Sequence, residues 1–183
     1  MKSLQGQLLI ASPHLPDPNF YRTVVLIVQH HAEGALGLVL NRPSFETVKS
    51  VLAAYTSTPL SNEIPVLIGG PIEGPLMAVH GVECCSEAEV ITGVHFAAER
   101  DHILQIISRE NPFRLFTGYS GWGIGQLENE MEVGGWLTVR ATSEHIFETP
   151  TEHLWKRVSS HIGDSILQQG LGIKVPDSDP RLN

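Results

Sequence analysis

Cysteine is scarce: there are two in 183 residues, and they are neighbours, Cys84 and Cys85. A bridge between adjacent cysteines closes a strained ring and staples nothing, so a disulfide framework is excluded. The chain is therefore expected to reside in a reducing cytoplasm. Long hydrophobic runs are also lacking. The longest, residues 23–28 and 35–40, fall far short of the roughly 18 apolar residues that a bilayer crossing requires. The opening residues Met1-Lys2-Ser3-Leu4-Gln5-Gly6 carry no apolar stretch of the secretory kind, so no export is expected. Nor is there a concentrated basic face. The 12 Lys and Arg residues are scattered, none clusters beyond Lys156-Arg157, and the formal net charge is −8. Neutralising phosphates takes clustered cations, which argues against direct binding to nucleic acid or to an anionic membrane surface. No repeat, low-complexity tract or linker interrupts the chain.

What is present fits a globular protein: 42% apolar and 17% charged residues. A single domain over residues 1–183 is expected, with its core in 6–163 and a loosely ordered tail from about 175. Residues 6–11 read as a first strand. Residues 23–30 and 35–41, joined by a short loop containing Gly34, predict an antiparallel hairpin. Both runs are nearly continuously apolar, so both faces of this hairpin are expected to be covered. Ser44 is expected to cap a helix that aligns Val48, Val51, Leu52 and Tyr55. Short strands follow at 66–68 and 76–80. A helix is predicted over 97–110, stopped by Asn111-Pro112. A strand at 113–117 then leads into a glycine-rich turn at 118–125, a helix to about 133 and a strand at 136–141. Thr149-Pro150-Thr151-Glu152 announces a last helix with Leu154, Trp155 and Val158 on its inner face. Hairpins outnumber strand–helix–strand units, which predicts an α+β fold.

Four stretches, in this order, carry a resemblance. They are Gly6-Gln7-Leu8-Leu9-Ile10-Ala11 with Asp17-Pro18-Asn19-Phe20; His30 with Gly34 through Asn41-Arg42-Pro43; Gly69-Gly70-Pro71 with Val79-His80; and Gly118-Tyr119-Ser120-Gly121-Trp122-Gly123-Ile124-Gly125-Gln126-Leu127-Glu128, with Trp136-Leu137 beyond. Together they resemble the YqgE/AlgH family of bacterial proteins. Gln29 stands where that family usually has Glu, Ser120 where it usually has Ala, and the cysteine pair lies outside the pattern. The resemblance implies an α+β fold with a bifurcated, mostly antiparallel sheet, partly closed like a barrel and surrounded by helices. It implies no established catalytic residues and no cofactor. A regulatory role, exerted indirectly through a protein partner, follows only from the family name.

Candidate residues follow from local chemistry. Gly121, Gly123 and Gly125 permit tight turning, and the helix start at Gln126 could offer backbone N–H groups to an anion. The spacing matches neither a P-loop nor a dinucleotide fingerprint, and a turn that lets Trp122 pack is the plainer reading. Ser120 resembles a nucleophile elbow on one side only, because Trp122 obstructs the other. His30 and His80 fall at strand ends, as ligand or base candidates or as hydrogen-bonded sheet-edge histidines; no metal-ligand spacing is present. Arg42 could clamp a carboxylate or phosphate with Asn41 fixing its loop, or pair with Asp17 or Glu73. Asp17 to Phe20 reads as a turn anchored by Phe20. Glu128 and Glu130 read as part of a solvated acidic face, and His102, His145, His153 and His161 as solvated positions. The expectation is a non-catalytic module binding a small anionic ligand or a protein. A small-molecule hydrolase using His30 or His80 is the enzymatic alternative.

Overall fold

The computed structural model describes residues 3–12, 15, 17–53 and 63–171. Its elements, in chain order, are β1 (Gln7–Ala11), β2 (Val24–His31), β3 (Gly34–Val39), β4 (Pro43–Thr47), α1 (Val48–Leu52), β5 (Pro65–Ile68), β6 (Met77–His80), β7 (Ala88–Ile91), β8 (Val94–Ala97), α2 (Arg100–Ile107), β9 (Phe113–Thr117), β10 (Ser120–Trp122), α3 (Gln126–Glu132), β11 (Trp136–Arg140) and α4 (Thr151–Leu171). They form two sheets, ordered β10-β3-β2-β1-β11 and β4-β5-β9-β6-β8-β7. Among the described residues only β5 and β9 pair in parallel. The fold is α+β.

Burial on both sheet faces explains the apolar runs. In β2, Val24, Leu26 and Val28 join one core, and Val25 and Ile27 join another on the opposite face. The first core also takes Leu38, Leu67, Val79 and Phe116 from both sheets and Leu154, Val158 and Ile162 from α4. The second gathers Phe20, Trp122 and Trp136 with Leu127 of α3. A third core, on the far side of the six-stranded sheet, packs Val66, Ala78 and Leu115 against Val48 and Leu52 of α1 and Ile103 and Ile106 of α2. Successive residues of a strand point to opposite faces, so a sheet sandwiched between layers needs apolar residues at every position.

The structure departs from the sequence expectations at several points. The sheet expected as one bifurcated, partly barrel-like surface is two sheets, and among the described residues neither closes on itself. Ser44 lies in β4 rather than capping a helix. The cap is Thr47, whose Oγ1 accepts from Ser50 N–H at 3.2 Å, while Ser50 Oγ accepts from Thr47 N–H at 2.9 Å. Tyr55 lies outside the described residues, as does the tail from 175. The predicted helix over 97–110 is shorter. Ala97 ends β8, which forms a hairpin with β7 through Thr92-Gly93, Gly93 turning at φ +74°. The glycine-rich turn contains a strand, β10, held against β3 with Trp122 opposite Ala35. At the start of α4, Leu154 N–H donates to Pro150 O at 3.1 Å, while the Thr149 hydroxyl turns back to Glu144 O at 3.0 Å. No helix among the described residues is long and apolar enough to cross a membrane.

Candidate functional site

The residues singled out from sequence fall in separate places. His30 is buried. Its Nδ1 accepts from Leu4 N–H at 2.9 Å, which leaves Nε2 to donate to Glu128 Oε1 at 2.7 Å. The Glu128 carboxyl lies below its ordinary range, chiefly through its own backbone N–H and then through His30. Trp122 donates its indole N–H to Glu130 Oε2 at 3.0 Å, and Trp136 donates to the same oxygen at 2.7 Å. The Gln126 amide donates to Glu130 Oε1 at 3.0 Å and accepts from Gly123 N–H at 3.1 Å. Glu128 and Glu130 are thus structural acceptors, not a solvated acidic face, because α3 packs both against buried donors. Gly125 starts α3 at φ +69°, and α3 has only seven residues. Gly121 packs against Ile72 and Tyr119, where a Cβ would lie 2.9 Å from Ile72 Cδ1. Ser120 is buried and donates to Gly69 O at 3.2 Å. Ser120, Gly121 and Trp122 are taken up by internal contacts, whereas Gly123 and Ile124 lie exposed at the surface.

His80 is fully buried in β6, opposite His95 of β8, with the two ring centroids 5.9 Å apart. Its Nδ1 accepts from Val82 N–H at 3.1 Å, and its Nε2 has no partner among the described residues. Burial, with His95 second, pushes its pKa down to about 4, so the folded protein holds it neutral. Nearby Glu87 opposes this shift, and His102 adds to it. The unfolded chain takes up a proton near pH 6.5, so stability falls as the pH drops from there towards 4. For His80 alone the loss between pH 7 and pH 5 is about 2 kcal/mol. Urea unfolding at the two pH values is expected to report it, and His80→Gln to reduce the difference. An unchanged pH dependence in the variant would remove His80 as its cause.

His145, expected to be solvated, is buried in the π-helical turn Glu144–Glu148, its ring edge-on to His161 at 5.4 Å. Glu87, Glu99 and His102 bring donor atoms within 4.8 Å of one another. Glu87 is already occupied there. It accepts from Ala98 N–H at 3.0 Å and Glu99 N–H at 2.8 Å, and meets His102 Nδ1 at 3.0 Å, which fastens the start of α2.

The arrangement best suited to a ligand was not singled out in the sequence. Asp17 accepts from Asn19 N–H at 2.8 Å and opens a short turn, Pro18–Phe20. Phe20 anchors this turn between Trp122 and Trp136, at centroid distances of 6.2 and 5.1 Å. The next residues, Tyr21 and Arg22, are thereby presented at the surface. Arg22 has φ +53°, the left-handed region that a bulky residue occupies only at a cost. Asn41 fixes it there, its Nδ2 donating to Arg22 O and its Oδ1 accepting from Val24 N–H, each at 2.8 Å. Asn41 thus holds the backbone on either side of Thr23 and does not itself line the cleft beside Arg22. Arg42 does not line it; its carbonyl accepts from Ile68 N–H at 2.8 Å.

The Arg22 guanidinium carbon lies 5.3 Å from the Tyr21 ring centroid and 5.2 Å from that of Trp155. Arg22 has no carboxylate partner among the described residues. It borders a cleft of about 720 Å³ between β1, β11 and α4, with apolar walls that include Ile10, Leu15, Leu137 and Ile162. Neither His30 nor His80 lines this cleft, and neither does any of Gly121, Trp122, Gly123, Gly125 or Gln126. A signal was nonetheless present in the sequence: a lone cation directly after Phe20-Tyr21 and directly before an apolar strand.

A model of the AlgH-like family matches residues 8–167. The chain belongs to this family. A UPF0301 protein of Chlorobium limicola is 37% identical over 186 aligned positions, covering 97% of this chain and 92% of that one. A UPF0301 protein of Streptomyces avermitilis is 36% identical, covering 100% and 97%. The solution structure of the AlgH protein from Pseudomonas aeruginosa superposes with a TM-score of 0.76 at 28% identity, covering 97% of this chain and 100% of that one. A crystal structure of a protein from Corynebacterium diphtheriae, at 24% identity and TM-score 0.67 with 88% of each chain covered, shares the fold. The AlgH-like fold here thus spans both sheets.

Proposed function

We propose that this AlgH-like chain is a non-catalytic binding module for a small anionic ligand, held in the cleft at Arg22. One observation carries the reading: an arginine without a carboxylate partner among the described residues, kept in a strained backbone conformation beside two aromatic rings at the mouth of an apolar cleft. Strain of this kind persists where surrounding structure enforces it, and it clusters at ligand sites. Here Asn41 enforces it. Its Cζ lies over two rings, and without a carboxylate partner among the described residues its N–H donors suit a planar acceptor such as a carboxylate. The hydrolase reading gains no comparable support, since His30 and His80 are both engaged inside the fold and stand apart from the cleft.

The test is titration of the protein with phenylacetate, followed by two-dimensional NMR of the backbone and the Trp155 indole. Shifts are expected at Tyr21, Arg22 and Trp155. Loss of a charge-assisted hydrogen bond is worth about 1.5–3 kcal/mol, so Arg22→Gln should weaken binding by about 10–100-fold. Shifts located elsewhere, or equal affinity in the variant, would refute the assignment.

A further inference from the structure

The same cleft is lined by a residue with an unpaired buried hydroxyl. Ser159 lies on α4 one turn beyond Trp155, and both residues line the cleft. Its Oγ is buried, with no hydrogen-bond partner among the described residues. Buried hydroxyls are nearly always paired, because losing water without gaining a partner is unfavourable. A serine in a helix commonly turns its hydroxyl back to the carbonyl four residues earlier. Here the hydroxyl instead stays unpaired, in a residue that lines the cleft whose mouth carries Arg22.

We infer that the ligand is a monocarboxylic acid with a compact apolar body and a hydrogen-bonding group at its far end, the carboxylate meeting Arg22 and the far group meeting Ser159 Oγ. This rests on the reading of the Arg22 cleft as the ligand site. Charge sets the valence. Asp17 lines the cleft beside Arg22, so its wall carries one cation and one anion, and a dianion such as a phosphate monoester would face Asp17 unneutralised. Wall chemistry sets the body. Ile10, Leu15, Leu137 and Ile162 offer nothing to a polar middle, whereas an aromatic or short aliphatic segment buries against them.

The experiment compares 4-hydroxyphenylacetate with phenylacetate, by calorimetry, on the unmodified protein and on Ser159→Ala. Removing a hydroxyl that has no partner is expected to leave the fold at least as stable, which thermal unfolding checks. The hydroxylated acid should bind about 5–10-fold more tightly than its parent to the unmodified protein, and that advantage should vanish in Ser159→Ala. An advantage that is absent, or that survives in Ser159→Ala, overturns the inference. If in that case both acids still bind and both are lost in Arg22→Gln, the carboxylate reading stands and only the second contact fails. If neither acid binds the unmodified protein, both readings fall together.

Discussion

Gly34→Ala is expected to destabilise the protein by about 4 kcal/mol, a large share of the roughly 5–15 kcal/mol typical of a folded domain. Two independent penalties coincide at this residue. Gly34 turns the chain between β2 and β3 at φ +135°, a conformation that residues with a Cβ rarely adopt. A methyl group there would also lie 2.2 Å from Trp122 O, and the obstruction is the backbone of β10, not the end of a flexible side chain. Relief requires prising β10 from β3, which breaks the register of Trp122 with Ala35. Gly93→Ala separates the two effects. Gly93 has φ +74° with open space around its Cβ position, so strain alone should cost about 1 kcal/mol. Urea unfolding followed by tryptophan fluorescence measures both. Similar losses in the two variants would show that the contact with β10 contributes nothing.

Glu130→Ala should cost about 3–5 kcal/mol. One carboxylate oxygen accepts from two indoles, those of Trp122 and Trp136, which are 6% and 3% exposed; the other oxygen accepts from Gln126. Truncation strands two buried N–H donors at once, each worth about 1–3 kcal/mol when unpaired. Glu130→Gln keeps an acceptor oxygen but loses the charge and brings in N–H donors of its own, so an intermediate loss is expected. The same unfolding experiment decides it. A loss below about 1 kcal/mol for Glu130→Ala would mean that water replaces the carboxylate freely.

The contrast between Arg22 and Arg42 marks where sequence reading stops. Runs such as residues 24–28 announce themselves because both faces of their sheet are covered, and residues 113–117 are legible as a strand to the residue. Residues 120–122 read as a turn because Gly121 lies among them and Gly118, Gly123 and Gly125 lie close by. Only pairing with β3, some eighty positions earlier, makes them a strand. The hairpin of β7 and β8 was hidden by its brevity and by Glu89 and His95 within it. Nothing local marks Arg22 as strained. Its conformation is imposed by Asn41 across the β2–β3 hairpin, and its second aromatic neighbour, Trp155, arrives on α4. Asn41 was visible as a fixing residue; what it fixes was not. Glu130 departs from its solvated expectation for a related reason, since an acidic residue on a short helix looks solvated until the two tryptophans beneath it are placed.

The position of β1 has a consequence during synthesis. It lies between β2 and β11, with Gln7 opposite Arg140, so one of its edges waits for a strand made near the end of the chain. At about 5–20 residues per second, a ribosome takes roughly 7–27 s to travel from one partner to the other. Throughout that interval the nascent chain carries an open backbone edge beside Leu8, Leu9 and Ile10, a surface that invites mispairing between neighbouring chains on a polysome. Synthesis arrested before residue 140 leaves that edge permanently uncovered, so such fragments should be captured by chaperones or degraded.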